Sequence, residues 1–183
     1  MIEIEDLALG GAVLFRMPRF HDNRGWFAEM FNDRWLKQLG IGTTFVQDNV
    51  CWSEHADTLR GLHAQRAPMA QAKLVSVAIG SVFDVVVDCR QGSQTYGQFR
   101  TTVLSAHDGR LLYIPRGFCH GYLTLAPSTA VYYKVDNYYS PEHEAGVRWD
   151  DSKLGIAWPL DGRVPILSDR DRALPLFSDF RPL

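Results

Sequence analysis

Residues 59–75, LRGLHAQRAPMAQAKLV, crowd Arg60, His63, Gln65, Arg66, Gln71 and Lys73 into a stretch whose alternating apolar residues spell strand. Pro68 and its neighbours offer the only turn, so the stretch reads as a core hairpin. Polar heads on such a hairpin need partners or a purpose, because burying them unpaired is costly. Imidazole, amide and ammonium groups side by side suit ligand binding and proton transfer. In VFDVVVDCR, Asp84 and Asp88 share one strand face with Val82 and Val86, while Phe83, Val85 and Val87 take the other. Paired aspartates can serve catalysis or metal binding, but at this spacing a structural role, such as pairing with Arg90, is favoured.

These residues must be positioned by strands. Nine runs rich in β-branched and aromatic residues follow one another: GAVLFRM, GTTFVQDNV, DTLRGLHAQ, KLVSVAIG, SVFDVVVDCR, GQFRTTVLS, GRLLYIP, HGYLTL and AVYYKVDNYY. AIGSV and SAHDGR read as tight hairpins with Gly80 and Gly109 at positive φ. The one clear helix is NDRWLKQLG, capped by Asn32, with Trp35, Leu36 and Leu39 on one face and Gly40 ending it. Many short strands and little helix predict an all-β, double-sheet jelly roll or barrel, in one domain over residues 1–183. The last 30 or so residues, richer in proline and charge, are expected to wrap that core.

Parity assigns faces within this frame. Gly61, His63 and Gln65 share one face, and Lys73, Val75 and Val77 share another. Arg60 has the wrong parity to join His63 unless the chain bulges near Gly61. A net charge of −2 speaks against a nucleic-acid binder but allows a single anionic ligand held by local arginines and lysines. Cys51, Cys89 and Cys119 have no CxxC spacing, which fits buried thiols in a reducing compartment. With no long apolar run and an acidic N-terminal stretch, a cytoplasmic protein off the membrane is expected.

GRLLYIPRGFCHGYLTL matches G-x5-P-x-G-x2-H through Gly109, Pro115, Gly117 and His120, and so resembles the second motif of the cupin superfamily. The first cupin motif brings metal ligands as H-x-H followed by a glutamate. Here the matching place reads His63-Ala64-Gln65, and no glutamate follows before Lys73. A metal site needs neutral imidazoles and carboxylates, and an ammonium among them repels the cation. No metal is therefore expected, and a metal-dependent cupin oxygenase is disfavoured.

A closer resemblance runs from about residue 15 to 175. FHDNRGWFAEMF, QDN, LRGLHAQ, QAKLVSVAIGSVFDVVVDCRQGSQTYG, IPRGFCHGY, YYKVDNYYSPEHE, WDDSKLGIAWP and ILSDRD resemble, in this order, the dTDP-4-dehydrorhamnose 3,5-epimerase family. The resemblance implies a homodimeric, cupin-like jelly roll acting on a nucleotide-linked 4-keto-6-deoxy sugar without a cofactor. It implies His63 as general base with Asp171 behind it, Tyr133 as acid on the opposite face, and Lys73 by the ketone. Ligand contacts carry over to Arg24, Glu29, Gln47, Asn49, Arg60, His120, Tyr138, Glu144 and Arg170, with Tyr138 stacking on the base. His21, His55, His107 and His143 have no such support and are expected at the surface.

The implied chemistry accounts for the crowded stretch. Carbons 3 and 5 both flank the carbon-4 ketone, so one enolate-forming machine can invert either. Histidine, with an ordinary pKa of about 6.5, is a suitable base near neutral pH. A buried aspartate behind it fixes the tautomer and stabilises the imidazolium. An ammonium donating to the enolate oxygen contributes on the order of 3 kcal/mol, and Arg60 would hold the pyrophosphate. Departures stand beside the matches: Ala64 for the family's usual tyrosine, Ala72 for glycine, and Val50-Cys51 for histidine-serine after QDN. These leave open an enzyme that inverts one carbon only, or one that takes a related dTDP-, GDP- or CDP-sugar. A non-catalytic cupin that binds a nucleotide sugar is the alternative of another class.

Overall fold

The computed structural model describes residues 1–183. It opens with β1 (Glu3–Asp6), β2 (Val13–Arg16), a small ribbon of β3 (Phe20–Asp22) and β4 (Gly25–Phe27), and α1 (Asp33–Gln38). The body follows as β5 (Gln47–Ser53), β6 (Leu59–Gln65), β7 (Lys73–Ile79), β8 (Ser81–Asp88), β9 (Phe99–Ser105), β10 (Arg110–Ile114), β11 (Phe118–Thr124) and β12 (Thr129–Val135). A 3-10 turn (Pro141–His143), β13 (Glu144–Gly146) and α2 (Asp169–Arg172) complete it. All nine runs read as strands form strands. β1, β3, β4 and β13 are too short to carry a periodic signal. Helix α1 starts where expected, with the Asn32 side chain accepting from the Arg34 N–H at 2.9 Å.

The strands form a six-stranded sheet, β1-β2-β10-β7-β12-β5, facing a five-stranded sheet, β13-β6-β11-β8-β9. All their pairings are antiparallel, the layout of a jelly roll. Three connections expected as hairpins are instead corners. β6 and β7, β7 and β8, and β9 and β10 each lie in different sheets. Gly80 and Gly109 take the expected positive φ, +79° and +67°, but their turns carry the chain across the sandwich. The local signal is the same either way. What differs is that the flanking strands cover one interior from two sides.

Apolar residues fill one part of that interior, including Leu14, Val75, Val77, Val82, Val86, Leu104, Leu112 and Val131. Outside the five-stranded sheet, Leu62, Ala64, Val85, Val87, Cys89 and Cys119 pack against Leu154, Phe177 and Phe180, so the C-terminal segment does wrap the core. Ala64 thus faces away from His63, as its parity required. Trp35 and Leu36 of α1 cover the outer face of the other sheet, on Phe15, Leu74 and Leu111. The rest of the interior is left as a cavity.

Candidate active site

The cavity holds about 590 Å³ and is lined from both sheets. His63 lies on β6, with Gly146 of β13 on one side and His120 of β11 directly opposite on the other. From His120 to Tyr122 the β11 chain advances two residues while β6 advances three, from His63 back to Arg60. This bulge meets the condition on which Arg60 could join His63, and both line the cavity wall. Glycine is required at its centre. Gly61 has φ +128°, and a Cβ there would stand 2.5 Å from Gly121 Cα.

Asp171 comes from the far end of the chain. Ser168 caps α2, accepting from the Asp171 N–H at 3.1 Å and donating to its carboxylate at 2.8 Å. The carboxylate is thereby aimed at His63, with Nε2 and Oδ1 2.5 Å apart. Burial of Asp171 would raise its pKa, but His63, Ser168 and Arg170 together hold the carboxyl below the usual range.

A second dyad lies beside the first. His120 Nε2 meets both oxygens of Asp84 at 3.0 Å, with Asp84 fully buried. Burial outweighs the carboxylate and pushes the His120 imidazole below the ordinary histidine value, favouring its neutral form. Asp84 thus stands behind a cavity-lining imidazole, and its partner is His120 and not Arg90. Asp88 keeps the expected structural role, paired with Arg90 at 2.6 Å.

The opposite wall is the six-stranded sheet. Tyr133 on β12 pairs with Val75 of β7, and Val135 pairs with Lys73, so Tyr133 and Lys73 are diagonal neighbours on one face. Burial lowers the Lys73 ammonium below the usual lysine range, against smaller opposing pulls from Cys119, Asp84 and Cys51. Its Nζ reaches across the corner to the His63 carbonyl at 3.4 Å. Tyr133 is pushed up to about 12, by burial first and by the neighbouring Cys51 thiol second. Imidazole and carboxylate on one wall thus face phenol and ammonium on the other.

The expected ligand contacts divide. Arg60, His120 and Arg170 line the cavity with the four expected catalytic side chains. Glu144 holds Arg170 by an ion pair of 2.8 Å and lines a neighbouring cavity of about 290 Å³ that shares His63 and Arg170. Gln47 and Asn49 hydrogen bond to each other at 2.8 Å on the edge strand β5, and Asn49 stands opposite Tyr133. Tyr138 is 61% exposed, outside the lining. Arg24 and Glu29 also lie outside this chain's cavity, because Arg24 sits in the turn of the β3–β4 ribbon, paired with Asp22 at 2.6 Å, and Glu29 follows it.

The cavity also contains Cys51, Tyr122 and Ser168, which were not singled out as site residues from the sequence. Parity held a signal for two of them: Tyr122 shares a face with His120, and Cys51 with Gln47 and Asn49. Gln65, at the place of the second H-x-H histidine, donates instead to the carbonyls of Met69 and Tyr138 and accepts from the Ser140 N–H. It ties two loops together beneath the site. No group of three or more His, Cys, Asp or Glu side chains is arranged to hold a metal ion. No helix is long and apolar enough to cross a membrane.

Comparison with known proteins places the chain. The family model for dTDP-4-dehydrorhamnose 3,5-epimerase matches residues 6–179. The chain belongs to the dTDP-4-dehydrorhamnose 3,5-epimerase family. It is 47% identical to the enzyme of that name from Salmonella typhimurium over 168 residues, 91% of each chain. The Bacillus anthracis epimerase, solved with TDP and pyrophosphate bound, superposes with a TM-score of 0.93 at 47% identity, covering 96% of this chain and 99% of that one. The Legionella pneumophila dTDP-6-deoxy-D-glucose-3,5-epimerase, solved with dTDP-4-keto-L-rhamnose, gives 0.93 at 39%, covering 99% and 95%. This epimerase family is one of isomerases with a cupin-like jelly roll, the class and fold found here.

Proposed function

We propose that the protein inverts carbons 3 and 5 of a dTDP-linked 4-keto-6-deoxy sugar, converting dTDP-4-dehydro-6-deoxyglucose to dTDP-4-dehydrorhamnose without a cofactor. The observation that carries this reading is the placement of His63 and Tyr133 on facing sheets across one cavity. Inversion requires a proton to leave one face of a carbon and another to arrive at the opposite face. His63, steadied by Asp171, takes the proton beside the ketone, and the C–H electron pair moves into the enolate. Lys73 donates a hydrogen bond to the enolate oxygen, as a preorganised cation does in a site shielded from water. Tyr133 then protonates the same carbon from the other side, and solvent restores both groups.

Arg60 and Arg170 supply charge for the pyrophosphate, and Tyr138 an exposed ring for the base. The ligands bound in the Bacillus and Legionella structures support that class of substrate. A homodimer belongs to this reading. The β3–β4 ribbon pairs with no other strand and exposes Phe20, Trp26 and Phe27, so a second copy is a fitting place for it to dock. Arg24 and Glu29 would then serve that copy's cavity. Three free cysteines fit a reducing cytoplasm.

Proton NMR in deuterium oxide with dTDP-4-keto-6-deoxyglucose tests the proposal. Deuterium at both carbons, with inversion, is expected. Exchange at one carbon alone would mean a restricted epimerase. No exchange with this substrate or with GDP- or CDP-linked analogues that bind would leave a non-catalytic nucleotide-sugar binder.

A further inference from the structure

His63 borders two cavities, and the mechanism uses only one of them. The smaller, of about 290 Å³, meets the larger at His63 and Arg170. It lies toward the edge of the five-stranded sheet, where β13 is the outermost strand and its Gly146 stands directly opposite His63. A glycine there carries no side chain to shield the imidazole from that flank. None would fit, since a Cβ at Gly146 would stand 2.6 Å from the Leu62 carbonyl oxygen and 2.8 Å from the Leu174 side chain. Exposed Asp179 and Arg181 line the same space, so it reaches solvent. With Glu144 they provide the polar partners that water needs, and the volume has room for several molecules at about 30 Å³ each.

Inversion at two carbons gives such a space a use. On the reading above, the sugar lies between His63 and Tyr133 and covers the imidazole from the larger cavity. The proton taken from the first carbon stays on the ring, and the second inversion needs that base free again. We infer that the smaller cavity is the proton exit of His63. Water there accepts the imidazolium proton: the N–H bond breaks, its electron pair stays on the ring nitrogen, and the proton passes along the water to bulk solvent. Gly146 keeps the flank of the ring open to that water, and Leu174, close against Gly146, bounds the exit. Asp171 holds His63 Nε2 at 2.5 Å, so the ring stays in place while it is reset. The inference rests on the epimerase reading, with His63 as base.

Filling the exit tests it. Tyr133→Phe can form the enolate but returns a proton only from the His63 side. Deuterium therefore enters its sugar only after His63 has exchanged with solvent. In that background Leu174→Phe, which puts a ring into the smaller cavity, should slow deuterium incorporation about tenfold, a modest rise in the barrier to proton release. Ala145→Leu fills the same space from β13 and should act alike, which keeps the test open if the first variant does not fold. With Tyr133 intact, both fillings should leave the first inversion in a single turnover near the wild-type rate, because that step needs no exchange. The second inversion should lag, so sugar inverted at one carbon accumulates. Incorporation and product ratio both at their unfilled values, in variants that melt as folded proteins, would overturn the exit while the epimerase reading stands. Loss of incorporation and of the first inversion together would also overturn it, since the cavity would then shape the base and not drain it. A wild-type protein that neither exchanges nor inverts overturns both.

Discussion

Asp84 and Asp88 lie four residues apart on one face of β8, and both are fully buried. Their surroundings could hardly differ more. Asp88 accepts from Arg90 Nε, Nη2 and backbone N–H, and from the hydroxyls of Ser93 and Thr95. Its arginine also donates to the Gly10 carbonyl and lies over the Phe118 ring. Asp84 has one hydrogen-bonding partner, His120, and beyond it open cavity. A carboxylate with every lone pair filled by its own fold is committed to structure. One that holds a single imidazole at a cavity wall leaves that imidazole free to meet a ligand. On a neighbouring strand of the same sheet, the His63 imidazole is held at the cavity wall in the same way by Asp171. For Asp84 and Asp88, what fills the carboxylate separates the site from the scaffold.

That contrast can be broken by substitution, and the largest effect belongs to the cavity. His63→Ala removes the base, so turnover should fall by about 10⁴-fold, near 5 kcal/mol in barrier. Deuterium exchange and inversion should vanish together while thermal melting stays near wild type. Retained exchange in this variant would move the base elsewhere.

At the saturated cluster the signs reverse. Asp88→Ala leaves Arg90 without its buried partner and should cost about 3 kcal/mol of stability, read by urea denaturation, with kcat of the remaining folded enzyme intact. The cluster also predicts an acid limb. Burial alone would raise the Asp88 pKa, but Arg90, Ser93 and Thr95 hold the carboxyl well below the usual carboxylate range. Between that lowered value and the unfolded value near 3.9, the unfolded chain binds more protons, so stability rises with pH there. The contribution is complete above the unfolded value and drains away as pH falls through the folded one. Asp88→Asn should therefore flatten the acid end of the stability profile, and a profile as steep as wild type would show that other carboxylates dominate it.

Asp171→Asn sharpens the comparison within the cavity. The amide can hold the wrong His63 tautomer and cannot stabilise an imidazolium, so kcat should drop by about 10²- to 10³-fold with folding nearly unchanged. Turnover within a few-fold of wild type would reduce Asp171 to a partner of the Ser168 cap. Asp84→Asn acts one step further from the chemistry, through His120, and should cost about tenfold in kcat/KM. The smallest expected effect is none: activity should survive exhaustive chelation, and recovery by a divalent cation of activity lost to the chelator would refute the cofactor-free reading.

The strands, the Asn32 cap and the division of β8 into two faces were legible in the sequence, because hydrophobic periodicity and capping chemistry act over a few residues. The parity of Arg60 left a bulge near Gly61 as the condition for it to join His63, and the structure has that bulge. The identities of His63, Lys73, Tyr133 and Asp171 were legible through motifs in register. Periodicity says which face of a strand is buried but not which sheet the strand joins, so three corners read as hairpins. Only the tertiary structure set His63 and Lys73 on opposite walls, brought Asp171 from the chain's far end to 2.5 Å from His63, and divided Asp84 from Asp88. The physical reason is that the two sheets fold over a shared interior. Groups distant in sequence then compete for the same hydrogen bonds, and what each is left with decides whether it supports the fold or does chemistry.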